Sequence, residues 1–222
     1  PGVLTVPFSC HYHGHLSGMV EALTRCGVQF VAFYAEEKDL AAAFAKRYPQ
    51  ANLATIEKEI LEATSIQLIA SASIPIDRDP LGVQVMKHGK DFLVDKPGII
   101  TRDQLTEARR VQKETKRIDS IMYSERFENR ATVKAGELVK AGAIGQVIQT
   151  IGLGPHRMNL STRPEWFFDT EKFSRILCDI ASHQFDQLLF FTGSPQAEVI
   201  SPQTRPVHYP QSPHFDPLRH VL

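Results

Sequence analysis

The 222-residue chain reads as an α/β protein, with a doubly wound parallel sheet over residues 1–122 and a second domain of different character over residues 123–222. Three observations predict this. Short apolar runs alternate with amphipathic helical stretches through the first half. The runs are apolar throughout, as suits strands covered on both faces. Glycines stand where the helices should stop. Repeated strand–helix–strand units then imply parallel pairing through right-handed crossovers.

The elements follow in order. Val3 to Phe8 reads as a strand. Leu16, Met19, Val20 and Leu23 fall on one face of a helix that Gly27 ends. Val28 to Tyr34 is a second strand, Lys38 to Arg47 an alanine-rich helix, and Glu57 to Ala63 a short one. Ile66 to Ala70 is a buried strand, Pro80 to His88 a helix stopped at Gly89, and Asp91 to Asp95 a strand again. Thr101 caps a helix striped by Leu105, Ala108 and Val111. Ile118 to Tyr123 closes the series. Beyond it come a helix over Asn129 to Ala141, a turn at Gly142 and Gly145, and a strand over Gln146 to Leu153. An irregular stretch from Pro155 to Thr170 and a helix from Ile176 to Thr192 follow. The proline-rich tail from Ser201 has no periodicity.

Lys plus Arg equals Asp plus Glu, 25 each, so no net field draws in nucleic acid or an anionic membrane. No basic run carries interleaved aromatics, and no apolar stretch approaches a membrane span. No basic region followed by an apolar core opens the chain, so no signal peptide is expected. Cys10, Cys26 and Cys178 have no metal spacing and do not form an even set. They read as reduced thiols of a cytoplasmic protein.

The first strand-to-helix turn is where a dinucleotide's pyrophosphate would approach the backbone, usually through G-x-G-x-x-G. Here it reads Ser9-Cys10-His11-Tyr12-His13-Gly14 and keeps only the last glycine. Ser9, His11, His13 and Gly14 are the candidate cofactor contacts, although a turn without a ligand stays open on local sequence. His11, His13 and His15 alternate, which admits a metal site, but no Cys or carboxylate completes it and none is assigned. Glu36 and Glu37 follow the second strand, where an acid would meet a ribose and repel a 2′-phosphate. Glu36 is the candidate, although an ordinary solvated helix start reads the same way. Ser71 and Ala72, after the strand over residues 66–70, join this set.

Phe92-Leu93-Val94-Asp95-Lys96-Pro97 is the strongest signal. It puts a lysine at the carboxyl end of a buried strand, where ligands bind in such sheets, with Pro97 limiting its backbone. Asp179 and His183 are four apart on a helical stretch, and imidazole titrates near neutrality. The bland alternatives are a surface lysine and a polar helix face.

Together these pieces resemble the glucose-fructose oxidoreductase / inositol dehydrogenase / rhizopine catabolism (Gfo/Idh/MocA) family. Gly89 to Pro97 is similar to its G-K-x-V-x-x-[ED]-K-P element. Gly142 to Gly145 is similar to its G-x-I-G turn. Leu177 to Asp186 is similar to its L-x-D-x-x-x-H-x-x-D helix, and Phe191 to Ser194 to the turn after it. The resemblance implies a Rossmann domain and a C-terminal α+β open-sheet domain, here incomplete, with an exposed edge that favours dimers or tetramers. It implies NAD or NADP as cofactor, NAD favoured, and a sugar or cyclic polyol as small-molecule substrate. By it, Lys96 binds both cofactor and substrate and polarises the reacting oxygen. Asp95 also lies against the cofactor, His183 moves the proton, and Asp179 aligns the groups. Arg126, His156, Arg163 and Trp166 are candidate sugar contacts. The competing expectations are a member that has lost turnover and binds a ligand or partner, and a metal-dependent activity at the histidine-rich turn.

Overall fold

A computed structural model describes the backbone of residues 3–8, 13–156, 159, 161, 163–169, 171–173, 175–201 and 203. Side chains are described for these residues other than 3–8, 13, 14 and 175. The chain divides into two compact units, residues 1–121 with 171–173, and residues 122–170 with 174–222.

The first unit is a six-stranded sheet: β1 (Val3–Phe8), β2 (Gln29–Ala35), β3 (Asn52–Leu53), β4 (Leu68–Ser71), β5 (Asp91–Asp95) and β6 (Asp119–Met122, whose last residue falls in the second unit). Its helices are α1 (His13–Arg25), α2 (Lys38–Arg47), α3 (Glu57–Glu62), α4 (Pro75–Lys87) and α5 (Arg102–Thr115). The strand order is β3-β2-β1-β4-β5-β6. The paired strands run parallel, with Leu4 opposite Leu68 and Ala70 opposite Leu93. This is the Rossmann order, in which ligands sit at the carboxyl ends where the winding reverses, here between β1 and β4.

The predicted stripe of α1 is buried at Leu16, Met19 and Val20, and Gly27 follows the helix at φ +86°. Ile60, Leu61, Ile66, Ile69, Leu81, Val85, Phe92 and Val94 form the core between α3, α4 and the sheet. Elsewhere the Phe44 ring meets Phe33 and Phe30 edge-on at 5.2 and 5.9 Å. Gly82 lets α4 lie close on β5, because a Cβ there would stand 2.7 Å from the Phe92 ring. Gly82→Ala is therefore expected to destabilise the first unit by about 1–3 kcal/mol through overpacking. Urea unfolding checks this, and an unchanged midpoint would remove the argument.

Helix α4 starts at Pro75, not at Pro80 as the sequence predicts. Proline suits a first helical position, so either residue could open the helix. Inside it, Pro80 has no N–H for the Ile76 carbonyl. Gln104 Nε2 donates to that carbonyl instead, at 2.9 Å. The same Gln104 completes a capping box with Thr101 at the start of α5. The two-residue β3 is too short to leave a period in the sequence.

The second unit holds α6 (Ser124–Phe127), α7 (Arg130–Lys140), a 3₁₀ turn over Glu165–Phe168, α8 (Arg175–Asp179) and α9 (Ala181–Thr192). Asn129 caps α7, accepting from the Ala131 and Thr132 amides. Gly136 lets α9 approach, since a Cβ there would stand 2.3 Å from Phe190 Cζ. Gly142 and Gly145 both have positive φ, as the predicted turn requires.

Two expectations fail here. Residues 146–153 form no strand, and Ile148, Ile151 and Leu153 stand at least 80% exposed. A strand exists only where another supplies ladder partners, and among the described residues nothing pairs with this segment. The helix over 176–192 breaks at Ile180 into α8 and α9. Ser182 Oγ donates to the Asp179 carbonyl at 3.1 Å, a local bond that competes with the helical ladder. The tail from Ser201 lies outside the described residues apart from Ser201 and Gln203. Among the described residues no helix is long and apolar enough to cross a membrane.

Candidate functional site

In the first unit Ser71, Ala72, Asp95 and Lys96, four of the predicted site residues, stand at the carboxyl ends of β4 and β5. Ser71 ends β4 and is 0% exposed, followed by the equally buried Ala72. The Ser71 hydroxyl accepts from the Ser73 amide at 3.2 Å and shapes the turn into α4. Asp95 ends β5, with the buried Lys96 after it, and the Lys96–Pro97 peptide is cis.

One side chain that sequence reasoning missed ties these two strand ends together. Arg78, on α4, is 1% exposed. Its Nε donates to the Ser73 carbonyl at 2.7 Å. Its Nη1 donates to the carbonyls of Asp95, Lys96 and Pro97 at 2.9, 2.5 and 3.2 Å. Its Nη2 stands 3.5 Å from Asp95 Oδ2. A guanidinium presents five donors in a fixed plane, so one side chain can hold both loops in register. A helix start placed at Pro80 leaves Arg78 outside the helix, which hides this signal.

His15, in the first turn of α1, places Nδ1 at 3.3 Å from Asp95 Oδ1. Neither Asp95 oxygen finds a hydrogen bond of good geometry among the described residues, so charge holds it. Burial pushes the Asp95 carboxyl up, but pairing with His15 and then the Arg78 charge outweigh it, and the net shift is downward. The same pairing raises His15 against the opposing effects of burial, Lys96 and Arg78. The imidazolium's stabilising share is therefore present below pH about 6.5 and fades as pH rises through the raised value.

The end of β2 forms an acidic corner. Burial, followed by the charge of Glu36, raises the Glu57 carboxyl. Tyr34 is raised by burial and then by Glu36, Glu57 and Glu37. Lys90, the other lysine of the Gly89–Pro97 element, precedes β5 and serves structure. Its Nζ donates to the carbonyls of Ala63 and Ile66 at 2.6 and 3.0 Å. A cavity of about 1040 Å³ opens at this amino end of the sheet, away from Lys96. Ser9 and His11 lie outside the described residues, and His13 and Gly14 are described as backbone of α1. No group of three metal-binding side chains occurs among the described residues.

In the second unit Asp179 ends α8 and His183 stands in the first turn of α9, both nearly fully buried. The Tyr123 ring packs edge-on against His183, with centroids 6.0 Å apart. Arg126 forms a bidentate pair with Asp186, at 2.5 and 2.9 Å, and its guanidinium lies 3.8 Å from the Phe127 ring centroid. Its fork is thus engaged by protein, in the geometry at which Arg pairs best. His156 Nε2 stands 3.4 Å from Glu125 Oε1. Arg163 stacks over Phe167, which Trp166 meets at 6.3 Å, so these two candidates share one aromatic neighbour. Tyr123 and Glu125 join the polar surroundings of this unit without having been singled out by spacing, whereas Asp186 closes the Leu177–Asp186 element.

Residues 132–212 match the GFO/IDH/MocA C-terminal domain family. The Escherichia coli (strain K12) protein YdgJ, an uncharacterised oxidoreductase, is 27% identical over 165 residues, 72% of this chain and 46% of that protein. A solved structure from Erwinia carotovora atroseptica SCRI1043, assigned as an oxidoreductase, is 36% identical with a TM-score of 0.90. It is covered over 64% of its length by 97% of this chain. Levoglucosan dehydrogenase in complex with NADH shares the fold at 18% identity and a TM-score of 0.74, over 86% of this chain and 54% of that one. The chain thus spans between about half and two thirds of these relatives. Its resemblance to the Gfo/Idh/MocA family, read first from the Gly89–Pro97 and Leu177–Asp186 elements, holds in both sequence and fold.

Proposed function

We propose that this chain carries the cofactor unit and the proton-transfer helix of an NAD(P)-dependent oxidoreductase acting on a CH–OH carbon of a sugar or cyclic polyol. The observation that carries the reading is the clamped carboxyl edge of the sheet. Buried Asp95 and Lys96 are tied by Arg78 to the loop after Ser71, beside the reversal of strand order. A functional lysine needs such support, because a loosely held ammonium stabilises nothing in particular.

The residues of this edge fit a dinucleotide. Helix α1 follows β1 in the chain, and its first turn carries no acid. Glu36 and Glu57 would repel a 2′-phosphate, which favours NAD over NADP. Bound nicotinamide would supply the hydride acceptor or donor. In this reading Lys96 holds the substrate oxygen and stabilises its developing negative charge. His183 takes the hydroxyl proton in oxidation and returns it in reduction, with Asp179 orienting it. Arg163, Trp166 and His156 contact the substrate, whereas Arg126 is engaged by Asp186 and serves structure. Assembly into dimers or tetramers through the exposed apolar segment at residues 148–153 belongs to the same reading.

The test is a fluorescence titration of the full chain with NADH and NADPH, followed by polyol oxidation assays. Saturable binding, tighter for NADH, and turnover support the proposal. The absence of nicotinamide binding at high micromolar concentration ends it. Binding without turnover on any polyol favours the second reading, a ligand-binding member, to which the loss of two glycines from the Ser9–Gly14 turn already points.

A further inference from the structure

The histidine at the start of α1 has a role that the nicotinamide reading does not require, though it rests on that reading. A protonated side chain in a helix's first turn opposes the helix dipole. His15 stands there nonetheless, and a carboxylate that is 1% exposed lies 3.3 Å behind its Nδ1. The nearby carboxylate favours the charged form of the ring. The side chain is 40% exposed, in the first turn of the helix. An imidazolium donates from both nitrogens, and its bonds to phosphate are charge-assisted. The turn before it keeps one glycine of three, so backbone approach to a phosphate is reduced where this cation is added.

We propose that His15, standing beside the buried Asp95 carboxylate, is the cation that receives the dinucleotide's diphosphate in this chain, so that cofactor affinity falls as pH rises through the imidazole's titration. The groups facing His15 are Asp95 from β5, Lys96 after it and Arg78 from α4. Asp95 favours the charged ring and the two cations oppose it, with the carboxylate prevailing. His11 and His13 share the turn, and replacing His15 alone separates its titration from theirs.

The experiment titrates the full chain with NADH and with ADP-ribose, which carries the diphosphate without nicotinamide. Neither diphosphate changes charge between pH 6.0 and 8.5. The wild type is expected to bind both about tenfold more tightly at pH 6.0, the scale of one hydrogen bond to a charged group. His15→Gln should bind alike at both pH values, at the wild-type level of pH 8.5. Wild-type affinity that is flat with pH overturns the inference without any variant. A His15→Gln protein that keeps the wild-type pH dependence also overturns it. Either result, with NADH still bound, leaves the nicotinamide reading standing. ADP-ribose binding that depends on His15, without NADH binding, supports the inference and sinks the nicotinamide reading. If neither ligand binds, both fall.

Discussion

Replacing Arg78 by methionine should destabilise the first unit by about 3–5 kcal/mol, the cost of breaking a buried ion pair from one side. The substitution removes four bonds to carbonyls and leaves Asp95, at 1% exposure, with less compensation. Methionine fills similar volume, so lost packing would not be the cause. Asp95 is held below the ordinary carboxylate value, so its stabilising share is present above pH about 4 and lost as pH falls through the depressed value. Without Arg78 that value rises, and acid unfolding should begin at a higher pH. Urea titrations at pH 7 and pH 4.5 measure both effects. A midpoint unchanged at either pH would show that Arg78 clamps nothing.

On the proposed function, Lys96→Ala and His183→Ala are each expected to lower kcat by about two to four orders of magnitude on any polyol the chain turns over. Lys96 follows the strand end that Arg78 fixes, so its loss should spare the fold. In the proposed function both groups act mainly in the transition state, so NADH affinity should shift much less than kcat. Steady-state kinetics beside NADH titration tests this. A variant that keeps wild-type kcat would remove its residue from the chemistry. Arg126→Ala should act differently, through stability, because its fork binds Asp186.

Much of the first unit was legible in the sequence. The α1 stripe, the bounds of α2 and β5, and the cap at Thr101 are all written in local patterns. Periods of 2 and 3.6 residues, glycine stops and cap residues depend on near neighbours alone, and so survive without coordinates. The Lys96 position followed from the same logic, since a strand's carboxyl end is a local fact.

What the amino-acid order determined by itself is therefore the succession of the main strands and helices of the first unit, the parallel sheet and the family resemblance carried by Gly89–Pro97 and Leu177–Asp186. The tertiary structure alone decided which charges are paired. Arg78 meets the Asp95 carbonyl 17 residues on, and Arg126 meets Asp186 across 60 residues. It also decided that Gln104 answers the carbonyl Pro80 leaves, that Lys90 is structural, and that residues 146–153 form no strand. Each of these depends on a partner far away in the chain. A side chain's chemistry names what it can bond, and only the fold chooses what stands in front of it.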